Sequence, residues 1–274
     1  MSEQFITSKD GLKLYIKDWS IEKPKAVIFL VHGFGEHINR YNHVADFFNK
    51  NDYAVVGFDH RGHGKSEGKR GHTPQYDSYL DDIETFLTHF QAKYKGLPTF
   101  LYGHSMGGNL VLNYIIQHST EGIAGAIATS PWIRLAFEPK PFMLKLGKMM
   151  RSIYPSFTQE SGLVREHLSR DPLVVEANKN DVLVNTKITA SAGMGISDAA
   201  TKLNEYKGDI KIPLLVTHGD ADKVTSQPAS SEFSGRVGGD ITYKIWEGMY
   251  HETHNEPEKL EVLNYTLGWL DSKI

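Results

Sequence analysis

Short apolar runs separated by polar, glycine-bearing intervals set the rhythm of this chain. Six of them are rich in β-branched and aromatic side chains: Ala26–Val31 (AVIFLV), Tyr53–Phe58 (YAVVGF), Thr99–Tyr102 (TFLY), Ile123–Thr129 (IAGAIAT), Leu214–Thr217 (LLVT) and Tyr243–Trp246 (YKIW). A short run that is apolar throughout predicts a strand covered on both faces. Two earlier runs, around Phe5 and over Leu12–Ile16, flank Lys9-Asp10-Gly11 and predict an edge hairpin.

Between the runs the period changes. Tyr76, Tyr79, Leu80, Ile83, Phe86, Leu87, Phe90 and Tyr94 recur every three or four positions, one face of a helix. A second helix is expected after Ser105, burying Leu110, Leu112, Tyr114 and Ile115. A third is expected over Pro257–Leu270, with Pro257 in its first turn. Alternating strands and helices predict a mostly parallel central sheet flanked by helices on both faces. The interval from Thr129 to Leu214 breaks the alternation: about 80 residues lie where a crossover needs about a dozen. It contains no strand run but three helical stretches, Phe142–Tyr154, Ser161–Ser169 and Thr186–Glu205. The predicted organisation is an α/β core from residues 1–130 and 206–274, with a helical cap, residues 131–205, inserted between two core strands.

Composition narrows the chemistry. The 274 residues are 40% hydrophobic and carry a net charge of −3, and no stripe of Lys and Arg suits nucleic acid. The absence of cysteine removes disulfides, thiolate nucleophiles and Cys-based zinc sites. The polar first residues, MSEQFITSKDGLKLY, lack the apolar segment of a signal peptide, and Ala26–Val31 falls far short of the roughly 20 residues that span a bilayer. A cytoplasmic protein is expected.

The candidate chemistry begins at Gly103-His104-Ser105-Met106-Gly107, between a predicted strand and a predicted helix. G-x-S-x-G in that context is a nucleophile elbow, in which small neighbours let a strained turn expose the serine hydroxyl. The Met106 N–H at the helix start, and the Phe34 N–H within His32-Gly33-Phe34-Gly35, are positioned to hold an oxyanion. A serine hydroxyl needs a base, and on such a scaffold the partners follow in the order acid, then His. Asp220 and Asp222 are the candidate acids, His251 and His254 the candidate bases; spacing alone does not choose within either pair. The loop Asp59–Gly68, with His60, His63 and the later His72, invites a metal reading. No helix carries a His pair at i, i+4, and a hydrogen-bonded structural loop is the expectation, with no metal or cofactor.

The set HGFGEH, DHRGHGKSEG, GHSMGG, HGDAD and YHETHNEPE, in this order, resembles the monoacylglycerol lipase and lysophospholipase-like branch of the α/β-hydrolases. The resemblance covers nearly the whole chain, including LSRDPLVVEANKND. It implies an α/β-hydrolase fold with a lid over an acyl-chain tunnel, Ser105 as nucleophile, Asp222 as acid, His251 as base, and Phe34 and Met106 as oxyanion amides. One departure is Asp181-Val182-Leu183-Val184, where the family often repeats Asp-Pro-Leu-Val. The implied activity is hydrolysis of single-acyl-chain lipid esters, monoacylglycerol first. A lysophospholipase, a short-chain carboxylesterase and a catalytically silent binding protein are the alternatives. Ser105 argues against dehalogenase and epoxide hydrolase chemistry, which need a carboxylate at the elbow. No nucleic acid and no obligate protein partner are implied. In Phe142–Tyr154, Phe142, Met143, Leu146, Met149, Met150 and Ile153 project to one face, opposite Lys145, Lys148 and Arg151. Such a helix packs on its own domain or touches a membrane surface transiently.

Overall fold

The apolar runs become the middle of one eight-stranded sheet in a computed structural model that describes residues 1–138 and 141–274. In chain order the elements are β1 (Ser2–Thr7), β2 (Lys13–Trp19), β3 (Ala26–Val31), α1 (Asn42–Asn49), β4 (Tyr53–Phe58), α2 (Asp77–Gln91), β5 (Thr99–His104), α3 (Met106–Gln117) and β6 (Ile123–Thr129). Then come α4 (Pro141–Ile153), β7 (Thr158–Glu160), α5 (Pro172–Asn180), β8 (Lys187–Thr189), α6 (Ala190–Glu205), β9 (Leu214–Gly219), α7 (Gln227–Arg236), β10 (Ile241–Trp246) and α8 (Lys259–Asp271). The sheet order is β1-β2-β4-β3-β5-β6-β9-β10. The hairpin β1–β2 and its junction with β4 are antiparallel, and every other pairing is parallel.

Alternate residues of β3 explain why its run is apolar throughout. Val27, Phe29 and Val31 join Phe86 and Phe90 of α2 and Leu110 of α3 in one core. Ala26, Ile28 and Leu30 join Phe48 of α1 and Leu270 of α8 in the other. The chain goes from β3 to β4 on one side and returns to β5 on the other, so the strand order reverses between β3 and β5. Ligands of open α/β sheets bind at such a reversal, beyond the carboxyl ends of the strands. The turns carrying Phe34 and Ser105 meet there.

The interval between β6 and β9 departs from the sequence reading in four places. It does contain strands: β7 and β8 pair antiparallel, but at three residues each they are too short to show a period. Only Arg165–His167 of the expected Ser161–Ser169 helix is helical, a single 3₁₀ turn, because Gly162 turns the chain at φ +78°. A helix passed over by periodicity, α5, starts at Pro172 behind the cap Asp171, whose side chain accepts from the Leu173 N–H. The last helix starts at Ala190 rather than Thr186, capped by the Thr189 hydroxyl. In α4, Met143, Leu146 and Met150 turn inward, with Gly147 packed against Met194 of α6. Phe142, Met149 and Ile153, on one flank of the predicted apolar face, stay exposed because α6 covers only the other flank. Outside this interval, α8 starts at Lys259: Pro257 holds Glu256 extended (ψ 161°), so the helix forms after it rather than around it.

Candidate active site

The elbow is set by close packing of backbone on backbone. Ser105 sits at φ 55°, ψ −115°, between β5 and α3. A Cβ on Gly103 would lie 2.3 Å from the Gly107 carbonyl oxygen, and one on Gly107 would lie 2.0 Å from that of Val31. Gly107 therefore lets α3 lie directly on β3, while Gly108 meets Pro131, where the chain leaves the sheet. Gly107→Ala should push α3 off the sheet, costing about 3 kcal/mol or more by overpacking. Thermal unfolding checks this; a midpoint within a degree of wild type would contradict the packing.

At this turn the structure brings three distant residues together. His251 Nε2 lies 2.9 Å from Ser105 Oγ, and His251 Nδ1 lies 2.7 Å from Asp222 Oδ2. Asp222 Oδ1 accepts from the Val224 and Thr225 N–H groups at 2.7 and 3.1 Å, and Oδ2 accepts from the Thr225 hydroxyl at 2.9 Å. Burial pushes the Asp222 carboxyl up, but the His251 and His218 rings outweigh it and hold it well below the usual carboxylate range. The other member of each pair lies elsewhere. Asp220 accepts from the Gly248 N–H at 2.6 Å, tying off a turn. His254 is buried, its ring stacked on Tyr41 and set edge-on to His104.

The Phe34 turn runs beside the elbow because Gly33 has no side chain: a Cβ there would come within 3.3 Å of the Ser105 Cβ. Met106 is the first residue of α3, so its N–H is among those a helix leaves without an internal acceptor. Glu36, just beyond the turn, accepts from the Gly33 N–H at 2.7 Å and the Tyr41 hydroxyl at 2.8 Å. Arg40 bridges Glu36 and Glu252, binding the latter through two 2.7 Å bonds. His104 Nδ1 faces Glu36 at 3.2 Å and its Nε2 faces the His251 carbonyl at 3.3 Å. Both partners only accept, so the surroundings favour a proton on both ring nitrogens. Burial alone would push its pKa down, and the Glu36 hydrogen bond raises it instead. Sequence reading passed over Glu36, Arg40, His104, His218 and Glu252, because polar residues inside a motif carry no sign of burial. His32, His60 and His63 form a buried ring cluster under the Phe34 turn, with burial holding His60 down to about 3 and His63 to about 4. They stay neutral and hydrogen-bond to backbone: His60 Nε2 lies 2.9 Å from the His32 carbonyl oxygen.

The elbow opens into a pocket that is open at its mouth. Trp132, Leu135, Phe137, Leu163, Ile188 and Val224 supply apolar lining. Glu36, Arg40, Arg165, Asn178 and Asn185 supply polar groups. Asn178, on α5, is buried and its Oδ1 has no hydrogen-bond partner among the described residues. The segment between β6 and β9 is fastened to the Phe34 turn: the Asn185 N–H donates to the Gly35 carbonyl at 2.7 Å, and His37 pairs with Asp181 at 2.7 Å.

A serine at a strained strand–helix turn, on the switch point of a doubly covered parallel sheet, marks the α/β-hydrolases that work through serine. Within that class the chain belongs to the serine aminopeptidase S33 family, whose match spans residues 22–258. It is 31% identical to a monoacylglycerol lipase of Mycolicibacterium smegmatis, over 100% of this chain and 98% of that one. The crystal structure of the Paleococcus ferrophilus monoacylglycerol lipase superposes with a TM-score of 0.87 at 32% identity, covering 95% of this chain and 99% of that chain. An uncharacterized abhydrolase domain-containing protein of Dictyostelium discoideum is 36% identical over 98% of this chain, which spans 29% of that relative's length. Among the described residues no helix is long and apolar enough to cross a membrane.

Proposed function

We propose that the chain hydrolyses the ester of single-chain lipids, monoacylglycerol above all, with residues 131–205 as a cap over the acyl chain. The observation that carries this is the Ser105–His251–Asp222 hydrogen-bond chain in a pocket lined by both apolar and polar residues. Ser105 Oγ attacks the ester carbonyl as His251 Nε2 takes its proton. Asp222 steadies the imidazolium, and the Phe34 and Met106 amides receive the oxyanion. His251 then returns the proton to the departing alcohol, and water attacking the acyl-enzyme releases the fatty acid. The alcohol side favours hydroxyls: the buried Oδ1 of Asn178, without a hydrogen-bond partner among the described residues, offers an acceptor. A peptide α-ammonium fits less well, because Glu36 and Glu252 are already held by Arg40.

The exposed apolar residues of α4, Phe142 and Ile153 each 71% exposed, on a helix that also exposes Lys145 and Lys148, favour transient contact with an anionic lipid surface. One panel tests both readings: long-chain monoacylglycerol, the matching diacylglycerol, lysophosphatidylcholine and a short nitrophenyl ester, with and without anionic vesicles. Monoacylglycerol should lead by about tenfold or more in kcat/KM, and the protein should co-sediment with the vesicles. A short-ester preference would discard the lipid reading while keeping the triad. No labelling of folded protein by a fluorophosphonate would favour a silent binding protein.

A further inference from the structure

Two imidazoles, not one, meet the carboxylate of Asp222. Beside His251 Nδ1, the Nε2 of His218 lies 3.0 Å from the same oxygen, Oδ2. His218 is the penultimate residue of β9 and is fully buried. Its Nε2 also lies 3.2 Å from the Thr225 carbonyl, and its Nδ1 lies 2.8 Å from Ser230 Oγ on α7. Carboxylate and carbonyl oxygens only accept, so Nε2 carries a proton; Nδ1 faces the Ser230 hydroxyl, which can give or receive a hydrogen bond. The result is a chain of hydroxyl, imidazole, carboxylate, imidazole and hydroxyl: Ser105, His251, Asp222, His218, Ser230. Ser230 is fully buried, so the far end of the chain meets no substrate.

We propose that His218 is a positioning residue for Asp222: its Nε2–H holds Oδ2 toward His251 and takes up part of the charge that the carboxylate presents to the base. This rests on Ser105, His251 and Asp222 being the working triad. The groups around the pair are accounted for. From its own loop Asp222 receives the Thr225 hydroxyl and the Val224 and Thr225 amides. Asp220 is engaged with Gly248, and the Lys223 ammonium sits 5.1 Å over the Tyr250 ring. His251 has the His104 ring beside it at 4.8 Å, with Glu36, Arg40 and Glu252 behind. From α7 comes Ser230; Glu232 on that helix pairs outward with Arg134.

With the His218 donor gone, Asp222 concentrates its charge on His251, and the protonated base is favoured to higher pH. A matched pair of variants reads this. In His218→Asn the shorter amide still reaches Ser230 but falls short of Asp222. In His218→Gln the amide reaches Asp222 as Nε2 does. The Asn variant should move the acid limb of kcat/KM upward by about half to one pH unit and lower kcat about tenfold, with KM within about twofold. The Gln variant should keep the limb within about 0.2 unit. Equal shifts in both, or a limb unmoved in both while the thermal midpoint falls, would overturn the proposal and leave His218 a packing residue. Nitrogen-15 spectra of histidine-labelled wild type, read at pH 8, supply a check that needs no variant to fold: the His218 ring should be the Nε2–H tautomer, and the Nδ1–H tautomer would overturn the assignment. Failure of the triad itself shows separately, as turnover surviving in Ser105→Ala.

Discussion

Ser105→Gly and Ser105→Ala should both lose turnover by about 10⁴- to 10⁶-fold, yet the glycine variant should be the more stable of the two by about 1 kcal/mol. On the proposed mechanism the loss follows from chemistry: without Oγ there is no nucleophile, and only binding and the two amides remain to speed reaction by water. The stability difference follows from the backbone. At φ 55°, ψ −115°, a side chain at position 105 is held where an L residue is strained and glycine is not. The turn is nevertheless held from several sides. The Ser105 N–H donates to the Thr129 carbonyl at 3.0 Å, and its own carbonyl accepts from Asn109 and Trp132 at 3.0 Å each. Comparing glycine with alanine removes the lost Ser105–His251 hydrogen bond from the difference, since neither variant makes it. Urea unfolding of the two variants and hydrolysis of one good ester decide both claims. Alanine equal to or more stable than glycine would mean that no strain is stored at the elbow. Turnover within about a hundredfold of wild type would remove Ser105 from the chemistry.

The strain was legible in the letters of the chain, because glycines at 103 and 107 on either side of one serine have few other uses. The central strands were legible too, since burial on both faces leaves only apolar residues in β3 and β4. Other features left no such trace. The helix α7 has serine and glycine spread around it, with only Ala229, Ser230 and Phe233 buried, so no apolar face repeats. The three-residue strands β7 and β8 exist through pairing with each other and through the Gly71 carbonyl that receives the Thr189 N–H. The first contact joins residues roughly thirty positions apart and the second residues 118 apart, beyond the reach of any local pattern. The choice of Asp222 over Asp220 is of the same kind: both follow β9, and only the path of the later loop decides which one meets His251. The resemblance pointed to Asp222 by motif; in the structure Asp222 meets His251 and three local donors, while Asp220 takes a turn amide.

Arg40→Met should destabilise the fold by about 3–5 kcal/mol, the largest stability loss expected of any single change in the site wall. Glu36 and Glu252 are 5% and 2% exposed, and Arg40 binds both. Methionine keeps much of the length and apolar stem of arginine but leaves two buried carboxylates without its charge, with the His104 ring facing Glu36 at 3.2 Å. Both carboxyls are held low in the wild type: burial works against this, and His104 and Arg40 overcome it at Glu36, as Arg40 does at Glu252. The sign of the pH effect follows. A carboxyl whose folded pKa lies below its unfolded value adds stability above the unfolded value, and that stability fades as pH falls toward the folded one. In Arg40→Met the low pKa values rise, so the loss relative to wild type should be greatest near neutral pH and shrink on acidification toward pH 4. Adding Glu252→Gln should recover a large part of the loss, because the neutral amide needs no cation and still offers its oxygen to the Asn255 side chain, which donates to Glu252 at 2.7 Å. Urea unfolding of wild type, the two single variants and the double variant, at pH 7 and pH 4.5, closes the cycle. If the two losses simply add, Arg40 is not the counter-ion of Glu252; strong recovery in the double variant makes this buried triad the element that holds the Phe34 turn and the His251 loop against each other.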